Sequence, residues 1–157
     1  IKGRITQIKA QIESTTSEYD KEKLNERFVS NVVKQIVSRF IHQPSFWMVA
    51  PDRSSEQNVA YTLFIQFENG IVVEEESLRE MSREIDSAFR ENFHYYYCRR
   101  LGQLESCRVF LIESSQGASE VYLTTCVELG QRLGDIKSVA LHPHQHWSHK
   151  LQGRFIT

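Results

Sequence analysis

The residues best suited to chemistry lie in one short segment, Gly130-Gln131-Arg132-Leu133-Gly134-Asp135-Ile136-Lys137. Two glycines four residues apart permit a tight backbone with several exposed N–H groups, and Arg132 and Lys137 add positive charge. Such groups bind phosphate or carboxylate. The segment is not a P-loop, because no Gly-Lys-Ser/Thr occurs. A helix stop followed by a return strand explains the glycines equally well, so both interpretations stay open.

Four histidines follow this segment and are the candidate metal ligands: His142, His144, His146 and His149. In an extended segment the first three would share one face, and three imidazoles can hold Zn²⁺. No acidic or cysteine partner stands at a ligand-like spacing. The favoured interpretation is therefore a polar surface segment, and we predict no metal site.

Two further groups of residues could bind a ligand or react, but each also has a purely structural explanation. Tyr95-Tyr96-Tyr97 precedes Arg99 and Arg100, a combination that can stack single-stranded nucleic acid. No wider basic stripe accompanies it, so we expect a helix end with one tyrosine in the core and the arginines in water. The carboxylates Glu74, Glu75, Glu76, Glu84 and Asp86 are expected on a solvated helix face, and Cys98 and Cys107 as structural thiols.

An α+β arrangement of elements would position these residues. Leu78, Met81, Ile85 and Phe89 recur at helical spacing and predict an amphipathic helix over 74–92. Runs rich in β-branched and aromatic residues predict strands over 46–50, 59–67 and 108–112. A further helix is expected over 118–129, closed by Gly130, with short elements over 137–141 and 147–151. The predicted fold is a small mixed or antiparallel sheet, in the order β-β-α-β-α, packed with helices.

A helical segment is expected to precede this body. Ile5, Ile8 and Ile12 form a narrow apolar stripe, and Thr15 with Glu18 matches a capping box that would start a second helix over 18–40. Charges are concentrated before Phe28 and apolar residues after it. This change predicts two units, residues 1–27 and residues 28–157.

The composition narrows the class of protein. The 157 residues include 19 basic and 20 acidic ones, a formal net charge of −1, so the chain has no global cationic field for nucleic acid or anionic lipid. Three cysteines leave an odd thiol, which suits a reducing compartment. No signal peptide and no run of about 20 apolar residues occurs. We therefore expect a soluble, cytoplasmic protein without nucleic-acid or membrane partners.

Residues 15–27, Thr-Thr-Ser-Glu-Tyr-Asp-Lys-Glu-Lys-Leu-Asn-Glu-Arg, resemble a segment of the mitochondrial-type 60 kDa chaperonins. With residues 1–14 also similar, the resemblance covers about 27 residues and ends at Arg27. The nucleotide site of those chaperonins lies outside this segment. The resemblance therefore implies no ATP hydrolysis and no ring assembly, and it suggests that the chain is a chimera.

A second resemblance lies in Phe93-His94-Tyr95, residues 99–104, Arg108-Val109 and the block over 130–137, followed by Leu141-His142. On these residues the chain from about Phe28 onward resembles the C-terminal region of the GH3 (auxin-responsive) acyl-acid amido synthetases. The resemblance implies an ATP- and Mg²⁺-dependent ligase that forms an acyl-adenylate and transfers the acyl group to an amine. Lys137 would match a lysine that faces the active site on domain closure and stabilises charge near the adenylate phosphate. Gln131, Arg132, Gly134 and Asp135 would be ligand-binding neighbours.

One departure from the family pattern affects the acceptor. Plant members have Pro-Arg soon after that lysine, where this chain has Ser138-Val139-Ala140. The family's adenylate-forming domain and its phosphate loop have no counterpart in the sequence. We therefore expect a closing domain that is inactive by itself and works with an adenylation domain. The alternatives are an interaction module that docks through the isoleucine stripe and a chaperonin-related protein.

Overall fold

Four strands form one mixed sheet in the computed structural model, which describes residues 3–8, 18–40, 42–53 and 56–157. The strands are β1 (Phe46–Arg53), β2 (Val59–Gln66), β3 (Arg108–Ile112) and β4 (Gly153–Phe155), and their order in the sheet is β1-β2-β3-β4. β1 and β2 are antiparallel, β2 and β3 are parallel, and β3 and β4 are antiparallel. The parallel pair requires a crossover connection, which two helices supply.

Helices cover both faces of the sheet. Residues 3–8 form α1, and it is followed by α2 (Glu18–Ser38), α3 (Glu75–Phe89), α4 (Phe93–Arg100), α5 (Ala118–Glu128) and α6 (Trp147–Lys150). A short 3₁₀ turn over Leu133–Asp135 lies next to the end of α5. α3 and α4 form the crossover between β2 and β3 and pack in one apolar cluster, whereas α5 packs in another, on the opposite face of the sheet.

Alternating strand residues divide the interior into two apolar clusters. Val49, Leu63 and Val109 point to the first cluster, which also contains the buried faces of α2 and α3. Met48, Phe64, Phe110 and Ile112 point to the second cluster, together with Ala118, Tyr122, Cys126, Trp147 and Leu151. We call the second one the α5 cluster. A sheet buried on both faces explains why its strands read as continuous apolar runs rather than as alternating ones.

The predicted fold class is confirmed, and the sheet is of the mixed kind. The predicted strands and helices all occur, with ends that shift by three residues or fewer, and 147–151 holds the short α6. Only Leu141 of the segment 137–141 pairs, through an isolated bridge to Val49. The sequence prediction omitted β4.

The N-terminal isoleucines do not form an exposed stripe. Ile8 is buried in the first cluster and Ile5 packs against it, so the interaction module that needed them exposed loses its basis. Ile12 and the capping threonine Thr15 lie outside the described residues. α2 continues without a break past Phe28, and the division of the chain there stays a prediction.

Two further findings concern the cysteines and the helices of the described residues. All three cysteines are free thiols, of which Cys107 and Cys126 are buried. None of the helices within the described ranges has the length and apolar character to cross a bilayer.

Candidate functional site

The predicted ligand loop begins with a sharp reversal at the end of α5. Gly130 has φ of +94°, in the left-handed region that favours glycine, and this allows the chain to turn back. The Gly130 N–H donates to the Val127 carbonyl at 2.9 Å and the Gln131 N–H to the Cys126 carbonyl at 3.0 Å. These bonds satisfy carbonyls that the helix end would leave free. Gly130 is therefore the helix stop that the sequence indicated.

Contacts with the α5 cluster hold the second half of the loop in place. The Tyr122 hydroxyl donates to the Lys137 carbonyl at 2.8 Å, while Ile136 and Val139 pack against the cluster. Further on, the Ala140 carbonyl accepts from the Val49 N–H, and the His142 N–H donates to the Val49 carbonyl, both at 2.8 Å. The backbone at Lys137 is thus held on both sides along the edge of β1.

The structure brings all five predicted site residues onto this one exposed loop: Gln131, Arg132, Gly134, Asp135 and Lys137. Within the described part of the chain, none of their side chains makes a hydrogen bond or ion pair. The cations of Arg132 and Lys137 are therefore available to an anionic ligand. Whether they bind one stays a prediction.

The backbone contributes less to this loop than the two glycines suggested. The N–H groups of Gly130 and Gln131 are bonded to α5, and the Asp135 N–H donates to the Arg132 carbonyl at 2.9 Å. Gly134 has an ordinary backbone conformation and open space around its Cα. The N–H groups of Arg132, Leu133 and Gly134 have no backbone acceptor among the described residues, so an anion at this loop would meet these groups as well as the side-chain cations.

The candidate metal ligands lie in two pairs, with ring centroids 6.5 Å apart for His142 and His144 and 5.5 Å apart for His146 and His149. His142 is buried, His144 is half-buried, and His146 is exposed with φ of +72°. Across the described residues, no three His, Cys, Asp or Glu side chains are grouped in a way that could hold a metal ion.

His142 belongs instead to the aromatic part of the α5 cluster. Its ring meets Trp147 edge to face at 5.1 Å and Tyr122 at 5.8 Å. Its Nδ1 accepts from the His144 N–H at 3.1 Å, so the ring proton sits on Nε2, 3.8 Å from the Cys126 sulfur. Burial, with a smaller contribution from His144, lowers the pKa of His142. The His142 side chain is therefore a neutral ring that packs inside the α5 cluster.

Asp86 is a buried polar centre, and the expectation that it lies on a solvated face is wrong. It is 7% exposed, and its Oδ1 accepts from the Tyr95 hydroxyl at 2.5 Å and from the Cys107 N–H at 2.9 Å. Arg90 Nε lies 3.0 Å from Oδ2 and Arg99 Nε 3.5 Å from Oδ1. Asp86 therefore ties α3 to α4 and to the start of β3.

The electrostatics of Asp86 reflect these partners. Burial on its own would raise the pKa of this carboxyl. The hydrogen bonds from Tyr95 and Cys107, together with the charges of Arg99 and Arg90, outweigh burial and hold the pKa below its ordinary value. Arg99 is consequently not in water as expected, although Arg100 is exposed and Tyr95 alone of the three tyrosines is buried.

The geometry thus defines a small α+β domain that fixes an exposed basic loop against one edge of its sheet. The family model described as "GH3 family C-terminal domain" matches residues 26–145. The chain therefore belongs to the GH3 family, as a C-terminal domain.

Similarity to a solved structure agrees with this assignment. The chain is similar in fold to a structure described as "GH3.15 acyl acid amido synthetase", with a TM-score of 0.53 and 10% sequence identity. The match covers 73% of this chain and 21% of that one, so this chain spans about a fifth of its relative. At this identity the likeness shows the fold. Together with the family match it favours a GH3 domain over an interaction module.

Proposed function

We propose that the chain is the smaller, closing part of an ATP- and Mg²⁺-dependent acyl-acid amido synthetase and presents Lys137 to a larger adenylation domain. The match of residues 26–145 to the family's C-terminal domain carries this proposal. In the reaction, the acid carboxylate attacks the α-phosphate of ATP and releases pyrophosphate. An amine then attacks the acyl carbon, the bond from that carbon to the phosphate oxygen breaks, and AMP leaves with the bonding electron pair. The amine nitrogen releases a proton to solvent as the amide forms.

The loop supports a charge-stabilising role for Lys137. Its carbonyl is held by Tyr122, while its side chain is exposed and makes no ion pair with the described residues. A cation carried on a fixed backbone can meet negative charge that develops on the adenylate phosphate with little reorganisation. Arg132, on the same loop, is proposed as a second anion contact.

The acceptor and the binding neighbours belong to the same proposal. Gln131, Gly134 and Asp135 would border the adenylate, and Ser138-Val139-Ala140 would leave the amine without the arginine contact of plant members. Because a larger domain supplies most of the nucleotide and acid contacts, the chain by itself is expected not to activate an acid. A cytoplasmic location is proposed with it, consistent with the three free thiols.

A chimera tests the proposal directly. In the GH3.15 enzyme, the fifth that matches this chain is replaced by this chain, and pyrophosphate exchange and amide formation are measured. We expect the chimera to show both activities. Lys137→Ala should lower the rate of the step in which charge develops on the adenylate phosphate by about 10²- to 10³-fold, the usual loss of one transition-state charge contact. Lys34→Ala, an exposed lysine on α2, is the matched control. A folded chimera without activity, or equal effects of the two variants, would refute the proposal.

The N-terminal residues carry a separate proposal. We infer from the sequence resemblance alone that residues 1–27 are a chaperonin-like appendage to the domain. Stable association of the chain with chaperonin subunits, lost on deletion of residues 1–27, would support this inference. A chain that elutes apart from those subunits would contradict it.

A further inference from the structure

A cleft of about 150 Å³ opens on the face of the sheet opposite the α5 cluster. Two of its lining residues, Phe28 and Val29, lie on α2, and others come from β2, α3, α4 and the connecting segments. The rings and the thiol that line it are those of Phe28, Tyr61, Phe89, Tyr95 and Cys98. The cleft is independent of the loop over 130–137 and of the function proposed for it.

Aromatic rings line much of this cleft, two pairs of them edge to face and two pairs tilted at 43° and 45°. The rings of Tyr61 and Phe89 lie 6.3 Å apart at 81°, and those of Phe89 and Tyr95 lie 5.5 Å apart at 74°. Aromatic pairs favour such geometry because the positive edge of one ring meets the negative face of the next. A further single ring that enters the cleft would extend the same packing, whereas a saturated ring would gain contact area only.

The Tyr61 hydroxyl gives the cleft a hydrogen-bond donor, beside the His94 ring and the Cys98 thiol in the same lining. The Tyr95 hydroxyl is committed to Asp86, but the Tyr61 hydroxyl has no hydrogen-bond partner among the described residues. Burial, with the nearby Cys98 thiol, raises the pKa of Tyr61. This hydroxyl therefore stays protonated at neutral pH and can donate to an acceptor on a ligand.

We propose that this cleft binds a small single-ring aromatic compound that carries one hydrogen-bond acceptor, with the ring among Phe28, Phe89 and Tyr95 and the acceptor at the Tyr61 hydroxyl. The size agrees, because an apolar cavity of about 150 Å³ is large enough to bind benzene. A drug-sized molecule would not fit, since sites for such ligands begin at about 300 Å³.

Phenol is the probe for this proposal, and benzene and cyclohexanol are its comparators. Methyl-detected NMR titration of the whole chain should show saturable shifts at Val29 and Leu141, which line the cleft. Tyr61→Phe should weaken phenol binding by about threefold to tenfold, the range of one neutral hydrogen bond, and leave benzene binding within about twofold. Tyr97→Phe changes an exposed tyrosine on α4 and should change neither.

A second variant tests the location by filling the cleft. Cys98→Phe adds a ring to the lining and should abolish binding of both phenol and benzene. If that variant does not fold, the comparison of Tyr61→Phe with Tyr97→Phe still decides. Phenol shifts that fail to saturate, equal phenol affinities in the two tyrosine variants, or cyclohexanol binding as tight as that of phenol would each overturn the proposal.

Discussion

Replacement of Asp86 tests how much of the stability depends on one buried carboxylate. Asp86→Asn keeps Oδ1, which accepts from Tyr95 and Cys107, but places an NH₂ donor opposite Arg90. Asp86→Ala removes both oxygens. It leaves the Tyr95 hydroxyl and the Cys107 N–H without the acceptor that they share, and it removes the ion-pair partner of Arg99.

The contacts set the expected magnitudes. Loss of one partner of a buried, hydrogen-bonded charge pair destabilises by about 3–5 kcal/mol, which is the expectation for Asp86→Ala. Tyr95→Phe removes a single hydrogen bond to a charged group and should lower the free energy of unfolding by about 1.5–3 kcal/mol. Asp86→Asn should fall between wild type and Asp86→Ala, because it retains two neutral hydrogen bonds and loses the attraction of two arginines.

Urea unfolding at pH 7, with the m-value checked for constancy, measures all three variants. Ser87→Ala, an exposed change on the same helix, is the control and should shift stability by less than about 0.5 kcal/mol. Asp86→Ala within that margin of wild type would refute the reasoning. So would Asp86→Asn as destabilising as Asp86→Ala, because the two retained hydrogen bonds would then contribute nothing.

Acidification gives an independent check on the same carboxylate. The pKa of Asp86 is lower in the folded chain than in the unfolded one, so its contribution is complete above the unfolded pKa, near 4. That contribution is lost as pH falls below this value through the folded pKa. Wild type should therefore lose stability more steeply below about pH 4 than Asp86→Asn does, and parallel curves would contradict this assignment.

The remaining predictions concern glycines and one histidine. Gly153→Ala should lower the free energy of unfolding by about 1–3 kcal/mol or more in urea titration, because its Cβ would lie 2.2 Å from the Leu111 carbonyl oxygen; a neutral result would contradict the β4 pairing. A Cβ at Gly134 would meet no atom within 4 Å, so Gly134→Ala should leave the free energy of unfolding unchanged within about 0.5 kcal/mol. Gly130 has φ of +94°, so Gly130→Ala should lower the free energy of unfolding by about 1–2 kcal/mol. Equal effects of the two variants would count against the turn assigned to Gly130. His142 should titrate below about 6.5 by NMR, and stability should fall as pH drops below that value, because the unfolded state binds the proton more readily; titration at or above 6.5 would exclude a buried neutral ring.

Much of the fold followed from periodicity. The stripe of Leu78, Met81, Ile85 and Phe89 placed α3 to within a few residues, because an amphipathic helix carries its burial pattern in its own sequence. β4 was missed for the opposite reason. Three residues, Gly153–Phe155, carry no period, and their strand exists only because β3 offers an edge at close approach.

The polar parts of the molecule were less accessible to sequence reasoning. Asp86 accepts hydrogen bonds from residues nine and 21 positions away along the chain, and no local pattern connects them. Its local signals are its position beside Ile85, at the margin of the apolar stripe, and Arg90 four residues on, with which it forms an ion pair. The loop over 130–137 is visible in the sequence, and ligand binding by its residues stays a prediction. The bond from Tyr122 to the Lys137 carbonyl depends on tertiary packing.

The two edges of the sheet affect how readily the chain forms fibrils. On one side, Val49 of β1 exchanges both of its hydrogen bonds with Ala140 and His142, and Pro51 in the same strand has no N–H to offer. On the other side, β4 is only three residues long. Exposed strand edges are templates for strand-by-strand polymerisation, and short, covered or proline-containing edges suppress it. Within the described residues, the sheet therefore gives a neighbouring chain little backbone on which to grow a fibril.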